Sequence, residues 1–473
     1  MALSRRDFLC RLGTFGAATL AMERFGIMNA FAQATDYKAL VCIFLFGGND
    51  SGNMVIPYTD YGSYSSARLA SGIAIPQDQL LQISPPRLPG SVFGLHPSLT
   101  GLQQLWNNKQ LAVVSNVGPL VDETNRTSYR NGTVPVPANL FSHSDQQNQW
   151  QTSVANGQAS SGWGGRIADR TGDLNITTFP PITSVTGTPI FTSGNIERPL
   201  AIAAAPTALN ASLQLNGFPA TQAARDADPR YVALQNLLQN DVNFTLIRGA
   251  SRVTGEAVSI EKSLRAAGNP AVPPFPLATR TSLGNQLEQI AKLISIRDAL
   301  GMKRQIFFAS LGGFDTHTNQ VTGGAPATGA HANLLAQLSG AMTTFYDVLV
   351  NLGVANQVTT FTLSDFARTF VPNGTLGTDH AWASHQFVMG GAVRGGDFYG
   401  LPTSNGTVFP SLAAGAGDDT DNGTSARGRF VPSVSVEQLG ATLATWFGVS
   451  NADLVGVFPN LNNFTVKNLG FMA

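Results

Sequence analysis

Cysteine is nearly absent from this chain: its 473 residues include only Cys10 and Cys42. Cys10 falls in an N-terminal stretch that reads as a removable targeting segment. The mature chain then has a single thiol, which excludes an intrachain disulfide framework. Cys42 sits in the apolar run Leu40-Val41-Cys42-Ile43-Phe44-Leu45-Phe46 and reads as a buried, inert thiol. Charge is scarce as well. Charged residues make up 12% of the chain, against roughly 25% in an average globular domain. Lys plus Arg and Asp plus Glu balance at 29 each, so there is no basic excess and no nucleic-acid footprint. No apolar stretch is long enough to make a stable membrane span. Gly, Ser, Thr and Asn supply the polarity instead, as in many secreted proteins.

The N-terminus carries a twin-arginine pattern, Ser4-Arg5-Arg6-Asp7-Phe8-Leu9. A weakly apolar stretch from Leu12 to Leu20 follows, and then the small-residue sites Ala30-Phe31-Ala32 and Ala32-Gln33-Ala34. Together these predict a cleaved signal over residues 1–34, export of a folded chain by the twin-arginine (Tat) machinery, and a periplasmic or extracellular location. Loss of Arg5, Arg6, Arg11 and Arg24 with Asp7 and Glu23 leaves residues 35–473 at a net charge of −2.

Five near-continuous apolar runs read as buried parallel strands: Leu40–Phe46, Leu111–Val117, Gln305–Ser310, Val358–Leu363 and Phe387–Met389. Helical spacing lies between them. Leu283, Leu287, Ile290 and Ile294 share one face, and Leu334, Leu338, Met342, Phe345, Leu349 and Leu352 share another. Ser435-Val436-Glu437-Gln438 is a capping box that starts a helix closed by Gly448. Alternating strands and helices predict an α/β fold with a mostly parallel central sheet, whose ligands gather beyond the strands' carboxyl ends. Residues 172–276 are less regular and read as an insertion or cap.

Histidine is the other scarce residue, with six in the chain. Four of them, His143, His317, His380 and His385, lie in or beside segments that follow predicted strands. Asp315-Thr316-His317 comes after the apolar run Ile306–Ala309 and a Gly-Gly turn. In an extended segment residues two apart point the same way, so Asp315 and His317 aim a carboxylate and an imidazole at one point. That pairing suits a divalent metal. Gly47-Gly48-Asn49-Asp50, Ser364-Asp365-Phe366-Ala367-Arg368-Thr369, Asp379-His380 and Phe141-Ser142-His143-Ser144-Asp145-Gln146-Gln147 repeat the arrangement. Each segment also has a structural reading: Asp50 as a turn residue, Asp365 as a helix cap, Asp379 as a group orienting the imidazole of His380, Arg368 as the partner of a carboxylate.

In this order the motifs resemble the domain-of-unknown-function family 1501, a member of the alkaline phosphatase-like superfamily. The resemblance also takes in Gly164-Gly165-Arg166, Gly390-Gly391, Gly395-Gly396 and Trp446-Phe447-Gly448-Val449. It implies a three-layer α/β fold and an exported metal-dependent hydrolase of phosphate-type esters, ahead of sulfate-type ones, acting on a small-molecule or polymer substrate. It further implies that Asp50 and Asp365 belong to one metal site and that Asp315, His317 and His380 belong to the other. The ion would be Zn, Mn, Mg or Ca. Ser142 or Ser144 would be the nucleophile, and Arg368 an anion-binding side chain. Three departures stand out. The D-x-H spacing at Asp315 is shorter than in typical phosphatases. Phe366 follows Asp365 where the superfamily usually has histidine, leaving His143 or His385 as a replacement. No C-x-P-x-R or S-x-P-x-R run exists, which disfavours a formylglycine sulfatase. The alternative reading is a catalytically degenerate envelope or surface binding protein of the same fold.

Overall fold

In the computed structural model, the described residues are 36–240 and 244–473, so the signal reading over 1–34 lies outside them. Twelve strands occur among them: β1 (Lys38–Phe46), β2 (Val55–Pro57), β3 (Leu81–Ile83), β4 (Phe93–Leu95), β5 (Leu111–Gly118), β6 (Ile182–Ser184), β7 (Leu200–Ala201), β8 (Arg304–Gly312), β9 (Val358–Ser364), β10 (Ser384–Met389), β11 (Phe398–Tyr399) and β12 (Val434–Ser435). Nine of these make the main sheet, in the order β11-β5-β10-β9-β1-β8-β6-β7, with β12 also pairing β5. The remaining three form a small antiparallel sheet, β2-β4-β3.

The strands read from the sequence are present with slightly wider bounds, and their burial explains their composition. β5 and β9 are buried at every position. β1 is buried at all but its two ends. A strand covered on both faces has no solvent side to make polar, so apolar residues run on without alternation. Phe44, Phe308, Phe361, Leu363, Trp163 and Phe191 meet in one core, each side chain stabilising the fold by roughly 1.5–3 kcal/mol through burial. Cys42 is buried there with its thiol free, and burial pushes its pKa well up.

β1 and β9 are parallel, with Leu45 opposite Ser364, and β6 is parallel to β8. β10 departs from the expectation for the Phe387–Met389 run: it is antiparallel to both β5 and β9. The connection explains why. Residues 365–383 contain no helix to carry the chain back across a sheet face, so the chain turns and returns alongside β9. That helix-free connection holds much of the site.

The two apolar helical faces belong to helices Ser282–Ser295 and Ala330–Asn351. The capping box at Ser435 is formed in both directions, and Gly448 follows the end of helix Val436–Phe447. Within residues 172–276, β6 and β7 extend the sheet edge, and the helices Pro229–Leu237 and Thr245–Ala267 follow them.

Candidate metal centre

The carboxyl ends of β1 and β9 lie side by side, and the chain beyond β8 closes onto β1. Phe314 N–H donates to Phe46 O at 3.1 Å. Gly47 permits this approach, because a Cβ there would lie 2.3 Å from the Asp315 nitrogen, and its φ of +112° is one that L side chains rarely adopt. After β9 the chain forms a short ladder in which Thr369 N–H donates to Asp379 O and Ala381 N–H to Ala367 O. This ladder sets His380 beside Arg368. Thr378 N–H to Thr316 O and the Asn373 side chain to His317 O tie the Asp315–His317 loop to the same segment.

Three imidazoles converge there on one carboxylate oxygen. Asp315 Oδ1 lies 3.1 Å from His317 Nε2, 3.4 Å from His143 Nε2 and 3.6 Å from His380 Nε2. The ligand atoms of His143, Asp315 and His380 all fall within 4.8 Å of one another. Each ring is held through its other nitrogen. His143 Nδ1 is 2.7 Å from Asp365 Oδ2, His317 Nδ1 is 3.0 Å from Asp379 Oδ1, and His380 Nδ1 is 2.7 Å from the Phe141 carbonyl. A carbonyl or carboxylate oxygen accepts from the ring, so each Nδ1 is the donor, and in the neutral ring each Nε2 carries a lone pair. This is the arrangement that orients metal-binding histidines.

The lone pairs test whether a cation fits. His143 Nε2 is buried without a hydrogen-bond partner. His317 Nε2 and His380 Nε2 are 2.9 Å apart. Two bare lone pairs at that distance repel unless a proton or a metal ion serves them. Three imidazole nitrogens and one carboxylate oxygen form a donor set suited to such an ion, so the residues present fit the group.

The surrounding charges are ordered to match. The bond from His143 to Asp365 raises the His143 pKa, with burial opposing it. Burial lowers that of His380. Burial would raise the Asp315 carboxyl, but the Arg368 guanidinium 2.8 Å away holds it below the usual range. Burial likewise opposes ionisation of Asp379, yet Asn373, His317 and Arg427 together bring it to about 2.

Asp315, His317 and His380 are thus brought together as the sequence suggested. Neither Asp50 nor Asp365 is placed as a ligand. Asp50 is fully buried, and its two oxygens receive both terminal nitrogens of Arg68 at 2.7 and 3.0 Å, together with Gln320 at 2.6 Å and Gly52 N–H at 3.1 Å. Arg68 also donates to Asn53, Phe370 O and Thr369 O. A guanidinium therefore fills the cation position beside Asp50. Asp365 accepts Gly47 N–H on one oxygen and His143 and Gln147 on the other, so it orients the His143 imidazole.

Arg368 is buried and bonds Asp315, Gly47 O and both oxygens of Thr378. It positions Asp315 and does not present an open fork to an anion. Ser142 and Ser144 start the helix His143–Thr152, and both hydroxyls donate to Asp145, at 2.6 and 3.4 Å.

His143 joins the site and His385 does not. His385 is buried, stacks on Phe409 and accepts from Asn116 N–H. Phe366 stands where a histidine was expected and packs its ring against His143 and His380, with centroids 4.8 and 4.7 Å apart. Asp379 orients His317, not its neighbour His380. Arg427 and the Phe141 carbonyl carry no motif. The usable signal was Ser-His-Ser-Asp opening a helix, since a histidine in a first helical turn is fixed by the helix.

A profile described as "Protein of unknown function (DUF1501)" matches residues 37–408. No curated protein sequence matches the chain. Among solved structures, the chain is similar to the lipoteichoic acid synthase LtaP from Listeria monocytogenes (7% identity, 88% of this chain and 73% of that one, TM-score 0.32). It is similar also to the PsFucS1 sulfatase from Pseudoalteromonas sp. (11%, 80% and 67%, TM-score 0.29) and to alkaline phosphatase from the Antarctic bacterium TAB5 (11%, 75% and 90%, TM-score 0.24). Likenesses of this size say nothing about substrate. The profile match covers most of the chain and takes in every residue around Asp315 described above except Arg427: the protein belongs to the DUF1501 family.

Proposed function

We propose that this protein is a metal-dependent hydrolase of phosphate-type esters, with sulfate-type esters as the second class, built on one divalent ion. The observation that carries the reading is the set of three Nε2 atoms turned onto Asp315 Oδ1, each fixed by an Nδ1–H bond. His143, His317, His380 and Asp315 would hold the ion. Their nitrogen-rich set favours Zn²⁺ over Mn²⁺, Mg²⁺ and Ca²⁺, which prefer oxygen. When bound, the ion supplies Lewis acidity toward an ester oxygen. The chain supplies the rest. Asp365, Asp379 and the Phe141 carbonyl fix the imidazoles, and Arg368 fixes Asp315. Ser142, between Phe141 and His143, both of which touch the centre, would be the nucleophile.

Purified protein loaded with Zn²⁺ or Mn²⁺ should turn over members of a panel of phosphate monoesters, phosphate diesters and sulfate esters, and Ser142→Ala should abolish turnover. Metal-loaded protein that hydrolyses none of them would refute the catalytic reading. One observation favours a second reading, a binding protein of the same fold: Asp50 and Asp365 are both withdrawn from ligation, leaving donors for a single ion. Binding of an ester or polysaccharide without turnover would support it. Export through the twin-arginine pathway is part of the proposal. Replacing Arg5 and Arg6 by Lys should retain the chain in the cytoplasm, and undiminished export would contradict it.

A further inference from the structure

We infer that Asp145 is the group that takes the Ser142 proton in the attack step, with Asn139 as its positioning residue. This rests on the hydrolase reading above and adds to it where the Ser142 proton goes.

The geometry at the start of helix His143–Thr152 is unusual for a cap. A serine at the N-cap ordinarily accepts a hydrogen bond from a backbone N–H of the first turn. Ser142 occupies that position with extended dihedrals, φ −90° and ψ 127°, yet its side chain makes no such bond. Its hydroxyl instead donates to Asp145 Oδ2 at 2.6 Å. The proton is therefore directed to a carboxylate, and no backbone N–H of the helix takes up the oxygen's lone pairs, although the Ser144 hydroxyl lies 3.2 Å from it. The other oxygen of Asp145 accepts from Asn139 Nδ2 at 3.0 Å. Nucleophile, base and a third group that orients the base are thus in hydrogen-bond sequence, which is the logic of an activated hydroxyl.

The backbone is bent to hold this arrangement. Asn139 and Phe141 have φ of +50° and +73°, a region costly for a bulky residue such as Phe. Phe141 N–H donates to Gln146 Oε1, and its carbonyl accepts from His380. Ser142 N–H donates to Asn139 O at 3.1 Å. The strained segment therefore links the metal-facing histidines to the serine. Ser144 is the weaker partner of Asp145, at 3.4 Å, and is exposed.

In the step, Ser142 Oγ bonds to phosphorus as the bond from phosphorus to the alcohol oxygen breaks. The hydroxyl proton moves to Asp145, and the departing alkoxide takes a proton from water. Water then displaces Ser142 from phosphorus, the Oγ regains a proton, and Asp145 returns its proton to the hydroxide left by the first step.

The test uses a fluorophosphonate probe on the full protein, because labelling needs neither a known substrate nor turnover. The site of modification is read by peptide mass. Wild type is expected to label at Ser142. Asp145→Asn keeps the size and the hydrogen bond but cannot take the proton. It should slow labelling by about 10²–10⁴-fold, the usual range for a lost general base, with metal content and Tm unchanged. Asn139→Ala should give a smaller loss in the same direction, and it serves as the test if Asp145→Asn fails to fold. A purely structural cap would lower Tm and leave the labelling rate alone. Label on Ser144, label on neither serine, or wild-type labelling of Ser142 in the folded variants would overturn the inference. Asp145-dependent labelling of a protein that binds no metal would support it while refuting the metal-dependent reading, so the two can fail separately.

Discussion

Asp50→Asn separates a metal ligand from a structural carboxylate. In the wild type the Asp50 carboxylate meets the Arg68 guanidinium at 2.7 and 3.0 Å, with neither side chain exposed. Burial alone would raise the Asp50 pKa, but Arg68 outweighs it and holds the group ionised. Asn cannot neutralise Arg68, which keeps Asn53, Phe370 O and Thr369 O as neutral acceptors but loses its charge partner. Removing one member of a buried pair costs about 3–5 kcal/mol. At roughly 2 °C per kcal/mol for a chain of this size, Tm should fall on the order of 10 °C. Metal stoichiometry should stay at the wild-type value in folded protein, because Asp50 does not face Asp315. Thermal unfolding and elemental analysis of the same sample read both quantities. Loss of metal with Tm unchanged would show that Asp50 is a ligand and that the Arg68 pairing has been misjudged.

Asp365→Asn should weaken metal binding by about 10–100-fold, the usual effect of removing a carboxylate that orients a ligating histidine; a competition titration with a chromogenic chelator measures it, and unchanged affinity would remove His143 from the site. Burial lowers the pKa of His96 and His385 to about 3 and of His331 to about 4. Between those values and about 6.5, the unfolded chain binds protons that the native state refuses. Stability should therefore fall as pH drops from about 6.5 towards 4, by roughly 1 kcal/mol per pH unit for each histidine, and a flat denaturation midpoint across that window would contradict it. Burial raises Glu437 to about 8, so this group acts in the other direction: its contribution is fully present below the ordinary carboxyl pKa and is lost as pH rises towards 8. Glu437→Gln should remove that decline, gaining stability relative to wild type at pH 8 compared with pH 5 in urea unfolding, and parallel profiles for the two proteins would refute it.

The sheet was legible because its strands are buried on both faces and leave uninterrupted apolar runs, as in Leu40–Phe46 and Val358–Leu363. The direction of β10 was not, because strand polarity depends on what the connecting segment does, and residues 365–383 carry no periodic pattern. Asp315 and His317 could be paired because two residues apart in an extended chain share a side. His380 followed from its position after a strand. Asp50 and Asp365 misled for one reason. A carboxylate at a strand end is drawn equally to a metal, a guanidinium or an imidazole N–H, and the partner here comes from a separate helix. Arg68 reaches Asp50 from the helix Tyr61–Arg68, and His143 reaches Asp365 from 222 residues away. Neither approach leaves a local trace in sequence. Phe366 was the informative departure, since its ring fills the space beside the two imidazoles.

The central claim is that His143, His317, His380 and Asp315 hold one divalent ion. It is tested most directly by metal content per folded chain, combined with X-ray absorption at the metal edge, in wild type and His143→Ala. One Zn per wild-type chain is expected, surrounded by about three imidazoles, with the loss of one imidazole or of the ion itself in the variant. A wild-type chain without stoichiometric metal, or an ion whose shell is unchanged by His143→Ala, would contradict it.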